Sequence, residues 1–102
     1  ALYQLDYIFG RNPLAISYVT GYGENAFKQP HNRPTIVDGV EEPIPGYVSG
    51  GPNKAPCDPD ALAAIPAHTA PMKCYVDDWR SYSTNEITIY WNSPLVFILS
   101  FL

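Results

Sequence analysis

Three features of the sequence predict a mainly α chain that forms part of a larger fold. Apolar residues at helical spacing, Leu2, Leu5, Ile8 and Phe9, open it, and an apolar element from Ser83 onward closes it. Between them lie all 7 glycines and all but one of the 11 prolines. Two helices joined by so long an irregular segment cannot enclose a core of their own. Yet 46% of the residues are hydrophobic and 14% aromatic, too apolar for a disordered tail, so these side chains must pack against something.

The first helix is expected over about residues 1–9. Gly10 can take the left-handed backbone just past its last turn, and Asn12-Pro13 prevents continuation. From Gly10 to Ser83 one stretch reads as helical, about residues 59–65. It has Asp58 as N-cap, Pro59 at the first position, then Ala61 to Ile65, with Pro66 as the stop. Irregular segments of this length inside a compact domain are uncommon unless they carry function. The closing element, about residues 84–102, has two readings. Ile87, Ile89 and Trp91 alternate with Thr88, Tyr90 and Asn92, the period-two pattern of a half-buried strand. Ser83-Thr84-Asn85-Glu86 instead fits a capping box, a hydroxyl residue followed three positions later by glutamate, which starts a helix. Such a helix would kink near Pro94, whose ring clashes with the Tyr90 carbonyl. The local pattern leaves strand and helix level.

Charge and cysteine usage exclude several classes. The net charge is -4 and no basic run exceeds a single residue, so phosphates find no electrostatic footprint and nucleic acid is not an expected partner. The apolar stretch from Pro94 to Leu102 is far short of the roughly 20 residues a membrane-spanning helix requires, and it reads as a buried helix end. No membrane association is expected. Cys57 and Cys74 lack a CxxC arrangement or a nearby histidine pair, which argues against metal; a disulfide and two free thiols fit them equally.

Two longer motifs carry chemistry. Ser17-x-Val19-Thr20-x-x-Gly23-x-Asn25-x-x-x-x-Pro30-His31-x-Arg33 resembles the histidine signature of glycoside hydrolase family 9, the cellulase family. Tyr75-x-Asp77-x-x-x-x-Tyr82-x-x-x-Glu86-x-Thr88-x-x-x-Asn92-Ser93 resembles the acidic signature of the same family. The flanking text LDYIFGRNPL and YWNSPLVFILSFL is also similar to family members. The resemblance implies the C-terminal portion of an (α/α)6 barrel, with a long irregular active-site loop region between two core helices. It favours helix over strand for the closing element.

The resemblance also implies roles. Glu86 matches the general acid, which donates a proton to the glycosidic oxygen as the bond breaks. His31 and Arg33 match groups that line the cleft and hold sugar hydroxyls, and Asp77 matches an aspartate that orders the active-site loop. The catalytic set implied is therefore Glu86, Asp77 and His31. Tyr82 and Trp91 occupy aromatic positions suited to the apolar faces of glucose units; for Trp91, core packing is an equal alternative. Ring stacking and hydrogen bonding to a β-1,4-glucan, cellulose or a related polysaccharide, are the implied mode of binding, in a secreted, extracellular enzyme of the endoglucanase type.

The family works by inversion, which needs two carboxylates about 6.5–9.5 Å apart so that a water fits beside the sugar. Its catalytic base lies in an Asp-rich motif near the start of the module, and no counterpart occurs in this sequence. The chain alone is thus expected to be inactive, with the remaining N-terminal part of the module as its partner. Some family members hold structural calcium. Asp77-Asp78 or Asp58-x-Asp60 could contribute oxygens, but neither has the ligand number of a recognisable site, so no metal or other cofactor is expected. Gly21 and Gly23 look like a GxG but lack the strand-to-helix context of a phosphate site, and read as loop glycines. His68 matches nothing and reads as exposed. The alternative from another class is a non-catalytic carbohydrate-binding module, which would show several short strands at regular spacing.

Overall fold

The first helix, α1 (Leu2–Ile8), ends where Gly10 allows it to. Gly10 has φ +132, its N–H donates to the Tyr7 carbonyl at 3.4 Å, and the Arg11 N–H reaches the Asp6 carbonyl at 2.8 Å. This is the paired bonding of a Schellman stop, which satisfies carbonyls the helix would otherwise leave bare. Asn12 then fixes the exit. Its amide donates to the carbonyls of Tyr7 (2.8 Å) and Ile16 (2.7 Å), and its oxygen accepts from the Leu14 N–H (3.2 Å). The computed structural model describes all 102 residues.

The long middle region is ordered without forming a β-strand. Four isolated bridges hold it: Ser17 with Ala26, Val19 with Val48, His31 with Glu86, and Ser49 with Ile87. Side chains supply the rest. The Thr20 hydroxyl donates to the Ile44 carbonyl (2.7 Å) and accepts the Tyr47 N–H (2.8 Å). Asn92 accepts the Val48 N–H (3.2 Å) and donates to the Gly46 carbonyl (2.6 Å), tying the last helix to the same loop. Gly23 is forced by space as well as by φ +80. A Cβ there would lie 2.5 Å from the Phe9 carbonyl oxygen and 2.8 Å from Ser17 Oγ. Gly23→Ala is expected to destabilise the fold by roughly 2 kcal/mol or more, read as a shift of the urea midpoint. An unchanged midpoint would show that the loop relaxes freely.

Two short helices interrupt this region. α2 (Arg33–Val37) lies outside the expected helices; Asn32 caps it by accepting the Thr35 N–H at 3.3 Å, and Pro34 sits in its first turn. The signal was present in Asn32-Arg33-Pro34 as a cap followed by a helix-starting proline. α3 (Pro59–Ala64) matches the expected position and cap, with Asp58 accepting the Ala61 N–H at 2.7 Å. A short 3-10 turn at Pro71–Lys73 comes next.

The single closing helix does not form. The chain makes a short α4 (Tyr82–Asn85), then runs extended through Glu86 (φ -63, ψ 147) to Thr88 (φ -144, ψ 158), and only then enters α5 (Ile89–Leu99). The Ser83 capping box is absent: Ser83 donates to Asp58, and Glu86 lies just past the C-terminal end of α4. Tertiary hydrogen bonds explain the break. The carbonyls of Thr84, Asn85 and Glu86 accept N–H groups from Gly51 (2.9 Å), His31 (2.9 Å) and Gly50 (3.0 Å), so they are unavailable to the next helical turn. Branched Ile87 and Thr88 suit the extended link. The strand-like alternation therefore holds for the two bridged residues Glu86 and Ile87, and the helical reading holds from Ile89 onward.

Apolar burial is modest. One cluster joins Leu5 of α1, Val19, Val48 and Leu95 of α5; a second joins Tyr18, Phe27 and Tyr75. Burial and the neighbouring Tyr7 push the Tyr18 phenol up to about 12. The stretch after Pro94, expected to be buried, is largely exposed: Leu95 is covered, whereas Val96, Phe97, Phe101 and Leu102 are each more than half exposed. Leu2, Tyr3, Ile89 and Tyr90 are exposed too. No helix is long and apolar enough to cross a membrane. Cys57 is exposed and Cys74 buried, and they are not bonded to each other.

Candidate active site

The fold brings the two signatures together through main-chain hydrogen bonds. His31 pairs with Glu86 in a parallel bridge, and the His31 N–H donates to the Asn85 carbonyl at 2.9 Å. On its other side, Glu86 accepts the Gly50 N–H at 3.0 Å. Its backbone is thus fixed from both flanks, while its side chain is exposed and makes no hydrogen bond within the chain.

His31 is oriented by Trp79, whose carbonyl oxygen lies 2.5 Å from Nδ1. A carbonyl can only accept, so Nδ1 carries a proton and, in the neutral ring, Nε2 presents a lone pair to an incoming hydroxyl. The Tyr82 ring stands edge-on to the imidazole with centroids 6.2 Å apart. The Cys57 sulfur beside it holds the Tyr82 phenol above its ordinary value, so Tyr82 keeps its donor proton. Arg33, at the start of α2, makes no salt bridge or side-chain hydrogen bond, leaving all five donors free.

Asp77 ties the two signatures together. Oδ2 accepts the Lys28 N–H at 2.8 Å, and Oδ1 accepts the Gln29 N–H at 2.9 Å and the Asn85 amide at 3.0 Å. Both oxygens are spent on the backbone leading to His31 and on the residue before Glu86. Burial, with the charge of Asp77 added to it, keeps the Tyr75 phenol protonated well above its ordinary range. Asp78 is held below the usual carboxylate range by its hydrogen bond from Arg80, which also reaches Asp60 at 3.3 Å. Asp58 is fully buried. Asp58, Asp77 and Asp78 thus have their oxygens engaged by amides, hydroxyls and Arg80, Asp60 meets Arg80 through Oδ1, and no three metal-ligating side chains are grouped.

Trp91 stands apart from this cluster. Its indole lies on Gly50, where an added Cβ would come within 2.7 Å of the ring, and it lines a cavity of about 410 Å³ with Tyr7, Tyr18 and Met72. His31 instead faces a larger cavity of about 590 Å³ shared with Asn32, Tyr47, Ile87 and Val96. Glu86 lines neither. The long-range polar contacts of Asn85, Asp58 and Ser49 have no local signal in the sequence and become visible only once the loops meet. His68 is exposed, and Gly21 and Gly23 are loop glycines with positive φ.

The family model for glycosyl hydrolase family 9 matches residues 1–99. A cellodextrinase of Butyrivibrio fibrisolvens is 62% identical over 96 residues, which make up 94% of this chain and 18% of that protein. Endoglucanase C of Cellulomonas fimi is 48% identical over 101 residues, 94% of this chain and 9% of that protein. Among solved structures, AaCel9A in complex with cellobiose-like isofagomine superposes with a TM-score of 0.88 at 48% identity, over 92% of this chain and 18% of that one. The chain thus spans less than a fifth of the length of each of these relatives.

Proposed function

The chain belongs to glycosyl hydrolase family 9, and from that premise we propose that it supplies the proton-donating half of an inverting β-1,4-glucanase cleft. The observation that carries this reading is the main-chain pairing of His31 with Glu86, which joins a residue whose carboxyl is unpaired to one whose imidazole is oriented by the Trp79 carbonyl. In this reading Glu86 protonates the departing glycosidic oxygen. His31 Nε2 accepts a sugar hydroxyl, Arg33 donates to others, and Tyr82 offers a ring edge and a phenol at the same mouth. Asp77 holds the loop rather than carrying protons, since both its oxygens are occupied. Trp91 stacks on a sugar only if the glucan also passes the Gly50 side of Glu86.

A water-activating base is the missing element. Asp58, Asp77 and Asp78 are each committed to hydrogen bonds or to Arg80, so none is free to activate water opposite Glu86. The base would come from the rest of the (α/α)6 module. The exposed apolar residues of α1 and α5 are the surfaces against which that module would pack, and no metal or other cofactor takes part. The parent enzyme would be secreted and act on cellulose or a related glucan.

The test is the configuration of the first product. The full-length enzyme carrying this segment should release the α-anomer from cellopentaose, followed by NMR before mutarotation, while the 102-residue chain alone should release no sugar. A β-anomer as first product, or turnover by the chain alone, would overturn the proposal.

A further inference from the structure

We propose that Asn85 is a positioning residue that sets the separation of the Glu86 carboxyl from the His31 imidazole; the inference rests on the glucanase reading of that pair. Asn85 is fully buried and adjoins Glu86 in the chain. Its amide nitrogen donates to the Gln29 carbonyl at 2.5 Å and to Asp77 Oδ1 at 3.0 Å. Its Oδ1 accepts the Tyr75 hydroxyl at 2.6 Å and lies 3.1 Å from Ser49 Oγ. Its own carbonyl takes the His31 N–H at 2.9 Å. One residue therefore grips the chain both at His31 and two positions before it, while its neighbour carries the acid.

The chemistry of the contacts requires an amide. Gln29 O and the Asp77 carboxylate are acceptors, so the face toward the His31 loop must donate twice. The opposite face meets two hydroxyls and must accept. Aspartate has the same shape but would set a second carboxylate against Asp77 and the Gln29 carbonyl, where like charges repel until falling pH places a proton on the pair. Alanine would leave the Asp77 oxygen, the Gln29 carbonyl and the Tyr75 hydroxyl short of partners. The His31 loop is then free to shift relative to Glu86.

In the full-length enzyme, Asn85→Ala is expected to lower kcat on cellopentaose about 100-fold with a much smaller change in KM, because misplaced groups lose rate more than binding. The nitrogen NMR shifts of the His31 ring should move as well, reporting loss of the Trp79 contact independently of turnover. Asn85→Asp, nearly isosteric, guards against a failure to fold. Its kcat relative to the parent should rise as pH falls, because protonating the carboxyl pair restores one donor. Leu95→Ala, in the apolar cluster of α1 and α5, should lower the melting temperature and leave kcat of the folded enzyme unchanged. If Asn85→Ala melts early but keeps kcat within about threefold of the parent and the His31 shifts in place, the residue is merely structural and the inference is overturned. A β-anomer product or absence of glucanase activity would strike the functional reading instead; the His31 shifts would still decide the positioning role.

Discussion

In the full-length enzyme, Glu86→Gln is expected to reduce kcat on unactivated glucan about 1000-fold while leaving KM nearly unchanged. Glutamine keeps the shape and the hydrogen-bonding reach of the side chain but cannot give up a proton to the leaving oxygen. The backbone supports a local effect. The Glu86 carbonyl is held by Gly50 and the preceding carbonyl by His31, so the substitution disturbs neither the bridge nor the loop. The side chain is exposed and free of internal hydrogen bonds, so stability should be unaffected. Substrate choice separates acid catalysis from binding. A dinitrophenyl cellobioside, whose leaving group departs without protonation, should lose far less rate than cellopentaose. Equal losses on the two substrates would remove Glu86 from the proton-donor role and leave it as a binding group.

The largest stability effect is expected at Asp58. Its Oδ1 caps α3 through the Ala61 N–H at 2.7 Å, and its Oδ2 accepts the Ser81 hydroxyl at 2.9 Å, the Ser83 N–H at 3.0 Å and the Ser83 hydroxyl. One fully buried carboxylate thus fastens α3 to the chain entering α4. Asp58→Ala leaves these donors without an acceptor and is expected to destabilise the protein by about 3–5 kcal/mol. Burial acts to raise this carboxyl, but the hydrogen bonds from Ser83, Ala61 and Ser81 outweigh it and hold the group below its ordinary value. With the folded value below the unfolded one, the stabilisation is complete above the unfolded carboxylate value of about 3.9 and is lost as pH falls through the folded value. The urea midpoints of the parent and Asp58→Asn should therefore differ by a constant amount from pH 7 to about 5 and converge below about 4. A gap that persists undiminished at pH 3 would show that the charge of Asp58 contributes nothing.

Much of the local structure was legible because it depends on residues close in sequence. Gly10 ends α1, and Asp58-Pro59 starts α3, since a left-handed stop and a capped, proline-led start need only a few neighbouring residues. Asn32-Arg33-Pro34 carried the same kind of signal for α2, hidden within the signature around His31. The capping box at Ser83 was misleading for a definite reason. Its hydroxyl had a stronger acceptor in Asp58, and the carbonyls that would have continued the helix had N–H partners in Gly50, Gly51 and His31.

The sequence by itself determined the family, the position of Glu86 and His31 within its two signatures, and the chain's inability to bury its apolar residues alone. These rest on residue identity and composition, which need no coordinates. Only the tertiary structure decided that Glu86 sits on an extended link and not in a helical first turn, that Asp77 spends both oxygens on the His31 loop, and that Asn85 joins the two signatures. Each of these depends on hydrogen bonds between residues far apart in the chain, where a backbone group takes whichever partner the fold delivers in place of the one its own sequence offers.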